Sequence, residues 1–182
     1  IAFYATELTK EQIELLINIK RGELSEEDKV IVARGQLDVA KEELESYCSN
    51  LGDTYQAIND NVLDWLMEEI GVSADYASVE AINAALEKIA ARQSEVTAVV
   101  RAYDAAVEQM DYYAGWCDKT AYAGAADFKS AIETARGAVA NPTSTETIAA
   151  ALEVLEKAKF VYVFTQTSDV MDVTRVINDP WF

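Results

Sequence analysis

A heptad pattern of apolar residues runs through one long segment that contains no helix breaker. The apolar side chains recur at intervals of three and four residues, and the pattern skips one turn at Gln93. No Gly or Pro lies between residues 72 and 114. The pattern predicts one helix of roughly 38 residues, about 57 Å long, where helices in globular proteins average about 11–12 residues. Its apolar positions are Val79, Ile82, Leu86, Ile89, Val96, Val100, Tyr103, Val107 and Met110.

The apolar stripe on this helix is wider than a two-stranded coiled coil needs, because it includes Ala85, Val99, Ala106 and Tyr113 beside the heptad seam. A wide stripe indicates contact with at least two neighbouring helices. The whole chain of 182 residues has only 7 Gly and 2 Pro, which suits helices better than a loop-rich fold. We therefore expect an all-α protein, an elongated helical bundle of two stacked three-helix units that share the long helix.

Gln93 interrupts the seam near its middle. One interpretation is a polar residue tolerated near the surface. The other is a joint, at which one set of partner helices gives way to the next. With the joint at Gln93, the predicted organisation is an N-terminal stub over 1–8, a first helical unit over 9–93, a second over 94–167 and a tail over 168–182.

Capping residues and glycines bound the other predicted helices. Thr9 and Gln12 form a capping box ahead of a short helix that ends at Gly22, with Ile13, Leu16 and Ile17 facing inward. The 160–164 segment has strand propensity, but the helical stripe leading into it favours helix. The other predicted helices are one capped by Ser25 and ended by Gly52, one from Asp53 to Gly71, the long helix capped by Ser78, one from about Ala126 to Gly137, and one capped by Ser144.

The charge and the missing residue types exclude several classes of function. The formal net charge of −17 comes from 32 acidic and 15 basic residues, so a nucleic acid or an anionic membrane surface would be repelled. The chain has no His, which removes the commonest general base and transition-metal ligand. We expect no enzyme, no cofactor and no metal site. The same acidity is typical of a solvated surface and, less often, of an acidic mimic that occupies a basic partner.

A ten-residue segment recurs 66 residues further along the chain. Residues 78–87 and 144–153 are identical at seven of ten positions, and Gly71 matches Gly137 at the same offset. A repeat of this size is typical of helical units that dock on their neighbours to bury a face. Chance similarity between Ala-rich helices is the alternative.

The segment 128–158 resembles a FIVAR-type helical repeat. It has an Ala131-Ile132-x-x-Ala135 helix, a short loop, and then Ser144-x-Glu146-x-Ile148-x-x-Ala151-Leu152-x-x-Leu155. Residues 62–91 share the pattern less closely. The resemblance implies a bacterial secreted or cell-surface multidomain protein in which such units act as spacers or adhesive segments.

The tail is similar to another known element. Residues 172–182, Asp-Val-Thr-Arg-Val-Ile-Asn-Asp-Pro-Trp-Phe, look like the strand that opens β-sandwich modules in Bacteroides-type surface proteins, with Asp179 in place of the usual Asn. This resemblance implies the start of a truncated β-sandwich. The chain begins with Ile1, which we interpret as removal of an export signal or excision from a longer protein.

Aromatic residues cluster near the end of the long helix. Tyr112, Trp116 and Tyr122 could form a platform that binds a glycan or an extracellular protein, and the alternative is that the cluster closes the bundle core together with Tyr113. The expected function is a non-catalytic spacer or interaction module of an exported multidomain protein. Binding through exposed aromatic side chains is the alternative.

Cys48 and Cys117 are expected to stay reduced. In an up-down-up bundle their helices run parallel, and the two residues are offset by about 24 Å along the axis. A disulfide needs Cα atoms within about 7 Å of each other. We therefore expect two thiols that pack as small core side chains.

Overall fold

The chain folds as an all-α helical bundle, and the fold-class prediction is confirmed. The computed structural model describes residues 8–22, 24–119 and 124–165. Short 3₁₀ turns lie at Asp53–Tyr55 and Ser73–Asp75, and a π-helical turn over Leu66–Ile70 closes the third helix. The α-helices are α1 (Lys10–Arg21), α2 (Glu26–Ser49), α3 (Gln56–Trp65), α4 (Val79–Lys119), α5 (Ala125–Val139) and α6 (Thr145–Thr165).

Each expected N-cap is formed. The Thr9 hydroxyl accepts a hydrogen bond from the Gln12 amide, and the Gln12 side chain accepts one from the Thr9 amide, which completes the capping box. Ser25 and Asp28 make the same reciprocal pair. Ser78 and Ser144 each accept one bond from the backbone amide three residues on. These caps fix where the helices begin, because the first amides of a helix lack partners inside it.

Helix α4 is longer than the sequence pattern predicts. The pattern predicts roughly 38 residues, whereas α4 has 41 and continues through Gly115 and Trp116 to Lys119. A glycine costs a helix only about 1 kcal/mol relative to alanine. Contacts of Tyr113 and Trp116 with neighbouring rings outweigh that cost and keep the last turns helical.

The buried line on α4 is rotated from the predicted seam. Leu86 and Val100 are only half-buried, while their predicted flanking positions Ala85 and Val99 are buried. A straight helix drifts by about 20° per heptad from a strict seven-residue repeat, so a stripe between two neighbours does not stay on one seam. At the interrupted turn Gln93 is exposed, and half-buried Arg92 takes the inward place with its guanidinium carbon 5.7 Å from the centre of the Trp65 ring.

The chain divides into two compact units, and the division within α4 falls between Arg92 and Gln93. The first unit contains Ile1–Tyr47 and Val62–Arg92, and the second contains Cys48–Asn61 and Gln93–Phe182. Residues 48–61 thus group with the second unit, where the Tyr55 hydroxyl donates a hydrogen bond to Asp104. The stacking of two units remains a prediction of the sequence.

The 66-residue repeat has matching burial in its two copies. Ile82 and Ile148 are 0% and 1% exposed, and the next inward residues, Ala85 and Ala151, are also buried. The two matching glycines do not have the same role. Gly71 ends its helix at a φ of +66°, a value that side chains disfavour. The prediction that Gly137 ends its helix is wrong, because Gly137 lies inside α5, which continues to Val139.

The structure also extends the repeat upstream. At the same offset α2 aligns with the second part of α4, and this alignment makes α2–α3–α4 and α4–α5–α6 two copies of one three-helix plan that overlap in α4. Burial along α2 matches this alignment only in part. Ala33 and Leu44 are buried like their counterparts Val99 and Met110, whereas the counterpart of buried Leu37, Tyr103, is half-buried. Identical pairs in this alignment are Val30 and Val96, Asp38 and Asp104, Ala40 and Ala106, Glu42 and Glu108, and Tyr47 and Tyr113.

Helix α1 departs from expectation. The prediction that Ile13, Leu16 and Ile17 face inward is wrong, since each exposes between 42% and 46% of its surface. No residue of α1 is buried. The capping box and the C-terminal glycine are enough to bound this helix, but nothing within the described residues covers its apolar side.

The C-terminal helix settles the ambiguous segment. Residues 160–164 belong to α6, so the helical interpretation is confirmed. In the described part of the chain, no helix combines the length and the apolar content that crossing a membrane would require. The predicted tail over 168–182 and all but the last residue of the predicted stub over 1–8 lie outside the described residues.

Candidate functional site

Five aromatic rings from α4, α5 and α6 meet in the second unit. Phe128 of α5 stacks on Tyr162 of α6 with ring centres 4.8 Å apart and 16° between the planes. Tyr113 of α4 lies 5.8 Å from Phe128 and 5.1 Å from Trp116. Tyr113, Phe128 and Tyr162 are buried. Each such ring pair stabilises a fold by about 0.5–1.5 kcal/mol beyond the contribution of its buried area. The main role of this aromatic cluster is therefore to pack the core of the second unit.

The proposed platform is only partly assembled. Tyr112 exposes 39% of its surface and meets half-buried Trp116 edge to face at 5.5 Å, on the outer side of the aromatic cluster. Trp116 belongs to the last turns of α4. Tyr122 lies outside the described residues. Tyr112 and Trp116 are therefore the platform residues that the structure brings together.

A polar cluster of Gln109, Tyr113, Glu156 and Lys159 lies beside the aromatic rings, between α4 and α6. The Tyr113 hydroxyl donates to Glu156 Oε1 at 2.5 Å and accepts from Lys159 Nζ at 3.1 Å. Gln109 Nε2 donates to the Tyr113 hydroxyl at 3.1 Å and to Glu156 Oε1 at 2.8 Å. Lys159 Nζ also lies 2.5 Å from Glu156 Oε2, which completes an ion pair.

This polar cluster is largely shielded from water. Gln109 and Lys159 are 7% and 5% exposed, and Tyr113 is fully buried. The side chain of Glu156 keeps 38% of its surface exposed, so the carboxylate forms the solvent edge of the cluster. A buried ammonium is tolerated only when it is paired and hydrogen-bonded, and here Lys159 has both Glu156 and the Tyr113 hydroxyl.

The electrostatics keep the Tyr113 hydroxyl protonated and Lys159 charged at neutral pH. Burial, and after it the hydrogen bond to Glu156, raises the pKa of Tyr113 to about 12. Burial by itself lowers the pKa of Lys159, but hydrogen bonds to Glu156 and Tyr113 outweigh it, so the net pKa is raised. A tyrosine with a raised pKa is a poor base near neutral pH, and a charged lysine is a poor nucleophile. The hydrogen bonds and the ion pair of this polar cluster are therefore better suited to holding α4 against α6 than to proton transfer.

Sequence reasoning missed this cluster, although one signal for it was present. The buried stripe of α6 passes from Leu155 to Tyr162, and the intervening inward position is Lys159. A charged residue in an apolar stripe indicates a buried partner, here Glu156 one turn earlier. Gln109 carries no comparable signal, because it lies beside the stripe residue Met110.

The two cysteines are not joined to each other, so the prediction of no disulfide is confirmed. Cys48 is buried and packs as a core side chain, whereas Cys117 is only half-buried. Within residues 8–22, 24–119 and 124–165, no three His, Cys, Asp or Glu side chains converge as metal ligands would. The absence of a cofactor remains a prediction.

Comparison with known proteins adds no relative. No family model matches the chain, and the searches of the curated proteins and of the solved structures found no match. The resemblance to FIVAR-type repeats therefore remains a prediction based on residues 128–158.

Proposed function

We propose that this chain is a non-catalytic helical repeat module that acts as a spacer in an exported multidomain protein. The observation that carries the proposal is that α4, a helix of 41 residues, serves both copies of the repeat. No loop separates the copies, because the third helix of one continues as the first helix of the next. Repeat modules of this kind gain stability from contacts between neighbouring repeats, which suits a structural role.

The surface supports the same proposal. The net charge of −17 keeps such a module soluble and disfavours association between copies. The resemblance of residues 128–158 to FIVAR-type repeats is the support for a bacterial cell-surface or secreted location. Protease treatment of intact cells of the producing bacterium tests that location.

A helix-breaking substitution in α4 tests the spacer proposal. Trp65 reports on the first unit and Trp116 on the second. In variants that keep either Trp65 or Trp116 as the one tryptophan of the three in the chain, both probes should give the same denaturant midpoint. Ser94→Pro should separate the two midpoints, because a proline inside a helix costs about 3 kcal/mol and interrupts the shared element.

Ser94→Ala is the matched control and should keep the midpoints together. Two different midpoints in the chain that retains Ser94 would mean that the units fold independently. The chain would then be described better as two independently folding units than as a spacer.

Binding through aromatic side chains is the second candidate function. The observation that favours it is the outward position of Tyr112 beside Trp116. Aromatic faces of this kind stack on sugar rings and protein side chains. Titration of the chain with oligosaccharides should then change Trp116 fluorescence to saturation, and Tyr112→Ala should abolish the change. A spacer predicts no change in either protein.

A further inference from the structure

Three helices of this chain open in the same way. Thr9–Ile13, Ser78–Ile82 and Ser144–Ile148 each read hydroxyl residue, any residue, Glu, any residue, Ile. In all three the hydroxyl accepts a hydrogen bond from the backbone amide three residues on. The isoleucine therefore occupies the same register, four residues after the cap, in α1, α4 and α6.

The burial of that isoleucine separates α1 from the other two helices. Ile82 and Ile148 are 0% and 1% exposed, whereas Ile13 is 46% exposed. The next position on the same face shows the same contrast: Ala85 and Ala151 are buried, whereas Leu16 is 46% exposed. The side of α1 that corresponds to a core face is therefore uncovered.

The residues of α1 that do gain cover lie elsewhere on the helix. Leu15 and Asn18 are half-buried. At about 100° per residue they lie roughly opposite Ile13, whereas Ile17 lies beside it. The contact that α1 makes within the chain thus leaves its apolar face, formed by Ile13, Leu16 and Ile17, available to a partner.

The two covered helices indicate the kind of partner. In each repeat copy a hairpin of two helices precedes the capped helix, α2 and α3 before α4, and α4 and α5 before α6. In the first unit this packing includes the Trp65 ring beneath Arg92 and the Glu69–Lys88 ion pair. In the second it includes Phe128 stacked on Tyr162. A helix with the same cap and the same inward residues fits the same kind of hairpin.

We propose that the Ile13, Leu16 and Ile17 face of α1 is the docking surface for a two-helix hairpin of a further repeat, joined to Thr9 in the same polypeptide. This inference rests on the proposed spacer function and extends it to an array in which α1 is the third helix of another repeat. A second copy of the chain is a poorer occupant. In a second chain, each of the two hairpins already covers the third helix of its own repeat. A net charge of −17 on each chain also opposes association.

The test supplies the hairpin and measures α1. In the first extended chain, residues 1–8 are replaced by a duplicate of residues 24–77, which contain α2 and α3. The duplicate then leads directly into Thr9, just as residues 24–77 lead into Ser78. In the second extended chain, residues 1–8 are replaced by a duplicate of residues 90–143, which lead into Ser144 in the original chain. Hydrogen exchange of the α1 amides, read by mass spectrometry, should slow by at least about tenfold in one or both chains, since a docked helix opens less often.

Variants separate docking on this face from a general effect. Ile13→Ser with Leu16→Ser should return α1 to fast exchange in the extended chains. The control is Ile19→Ser, which changes an apolar residue of similar exposure, 43%, on another side of the helix and should leave the slow exchange in place.

Unchanged α1 exchange in both extended chains would overturn the proposal. It would also be overturned if α1 of the unextended chain became protected as concentration rose, with a doubled mass in sedimentation, because the occupant would then be a second copy. The Ser94→Pro experiment reads α4 and not α1, so failure of the spacer function and failure of this inference give different results.

Discussion

The two units follow one helical plan but place their polar side chains differently. In the first unit, three residues along one face of α2 hold the connector between α3 and α4. Arg34 donates from two nitrogens to the carbonyl of Tyr76, and Lys41 donates to the carbonyl of Gly71. Between them, Asp38 accepts from the Ser73 hydroxyl. Polar contacts here organise a loop at the surface.

In the second unit the polar contacts lie between helices. Gln109 and Tyr113 of α4 meet Glu156 and Lys159 of α6 beside the stacked rings. The corresponding residues of the first copy are Glu43, Tyr47, Ala90 and Gln93. Only the tyrosine is shared. The three-helix plan therefore depends on its aliphatic stripe, and the buried polar cluster is an addition specific to one copy.

The largest expected effect tests whether the stripe is equivalent in the two units. Ile82→Ala and Ile148→Ala should each lower the free energy of unfolding by about 2–5 kcal/mol, because each leaves a cavity at a fully covered site. Leu86→Ala and Leu152→Ala should cost less, since both side chains are half-buried. Urea denaturation of the four variants measures this. A cost at Ile148 alone would break the equivalence.

A smaller effect is expected from the polar cluster. Glu156→Gln removes the carboxylate that pairs with buried Lys159 and should cost about 1–3 kcal/mol, toward the lower end because Glu156 is partly exposed to water. Adding Lys159→Met should recover most of the loss, since no buried charge is then left without a counterion. A double-mutant cycle gives the coupling energy. A coupling near zero would mean that the cluster is a surface pair of no energetic weight.

The polar cluster also predicts a dependence of stability on alkaline pH. The pKa of Tyr113 is raised to about 12 in the folded chain from an ordinary value near 10. Between those values the unfolded chain loses the proton while the folded chain keeps it, so stability is retained below pH 10 and lost as pH rises toward 12. Lys159, whose pKa is also raised, acts in the same direction.

The slope of unfolding free energy against pH measures this effect. Over that range Tyr113 should contribute at most about 1.4 kcal/mol per pH unit. Tyr113→Phe should show a shallower decline than the parent chain, even if its stability at pH 8 differs. Parallel declines in the two proteins would show that Tyr113 titrates as it does in the unfolded chain.

The smallest effect is expected at the interrupted heptad. Gln93→Leu should change the free energy of unfolding by no more than about 0.5 kcal/mol, because Gln93 is exposed. Arg92→Leu is the informative partner, since Arg92 is the side chain that faces Trp65. A large stabilisation by Gln93→Leu would show that residue 93, and not residue 92, faces inward.

Local signals in the sequence were sufficient for much of this fold. The capping residues Thr9, Ser25, Ser78 and Ser144 predicted helix starts correctly, because a cap is a contact within one turn. The long helix followed from periodicity and the absence of breakers. Its end at Lys119 did not, since the contacts that carry it past Gly115 come from rings distant in the chain, such as Phe128.

The parts that the sequence did not predict depend on packing between helices. Which side of α4 is most buried depends on where its neighbours lie, and a strict heptad could not locate Ala85 as more buried than Leu86. Helix α1 has an apolar stripe as convincing as any other, but a stripe does not specify a partner. The Lys159 site needed knowledge that Tyr113 and Glu156 meet across two helices.

The equivalence of the two copies is the central claim, and hydrogen exchange along the whole chain tests it most directly. We expect amide protection over residues 26–99 to repeat over residues 92–165 at the 66-residue offset, with unbroken protection through residues 88–97 of α4. Strong protection in one copy only, or fast exchange around Arg92 and Gln93, would contradict a repeated plan joined by a shared helix.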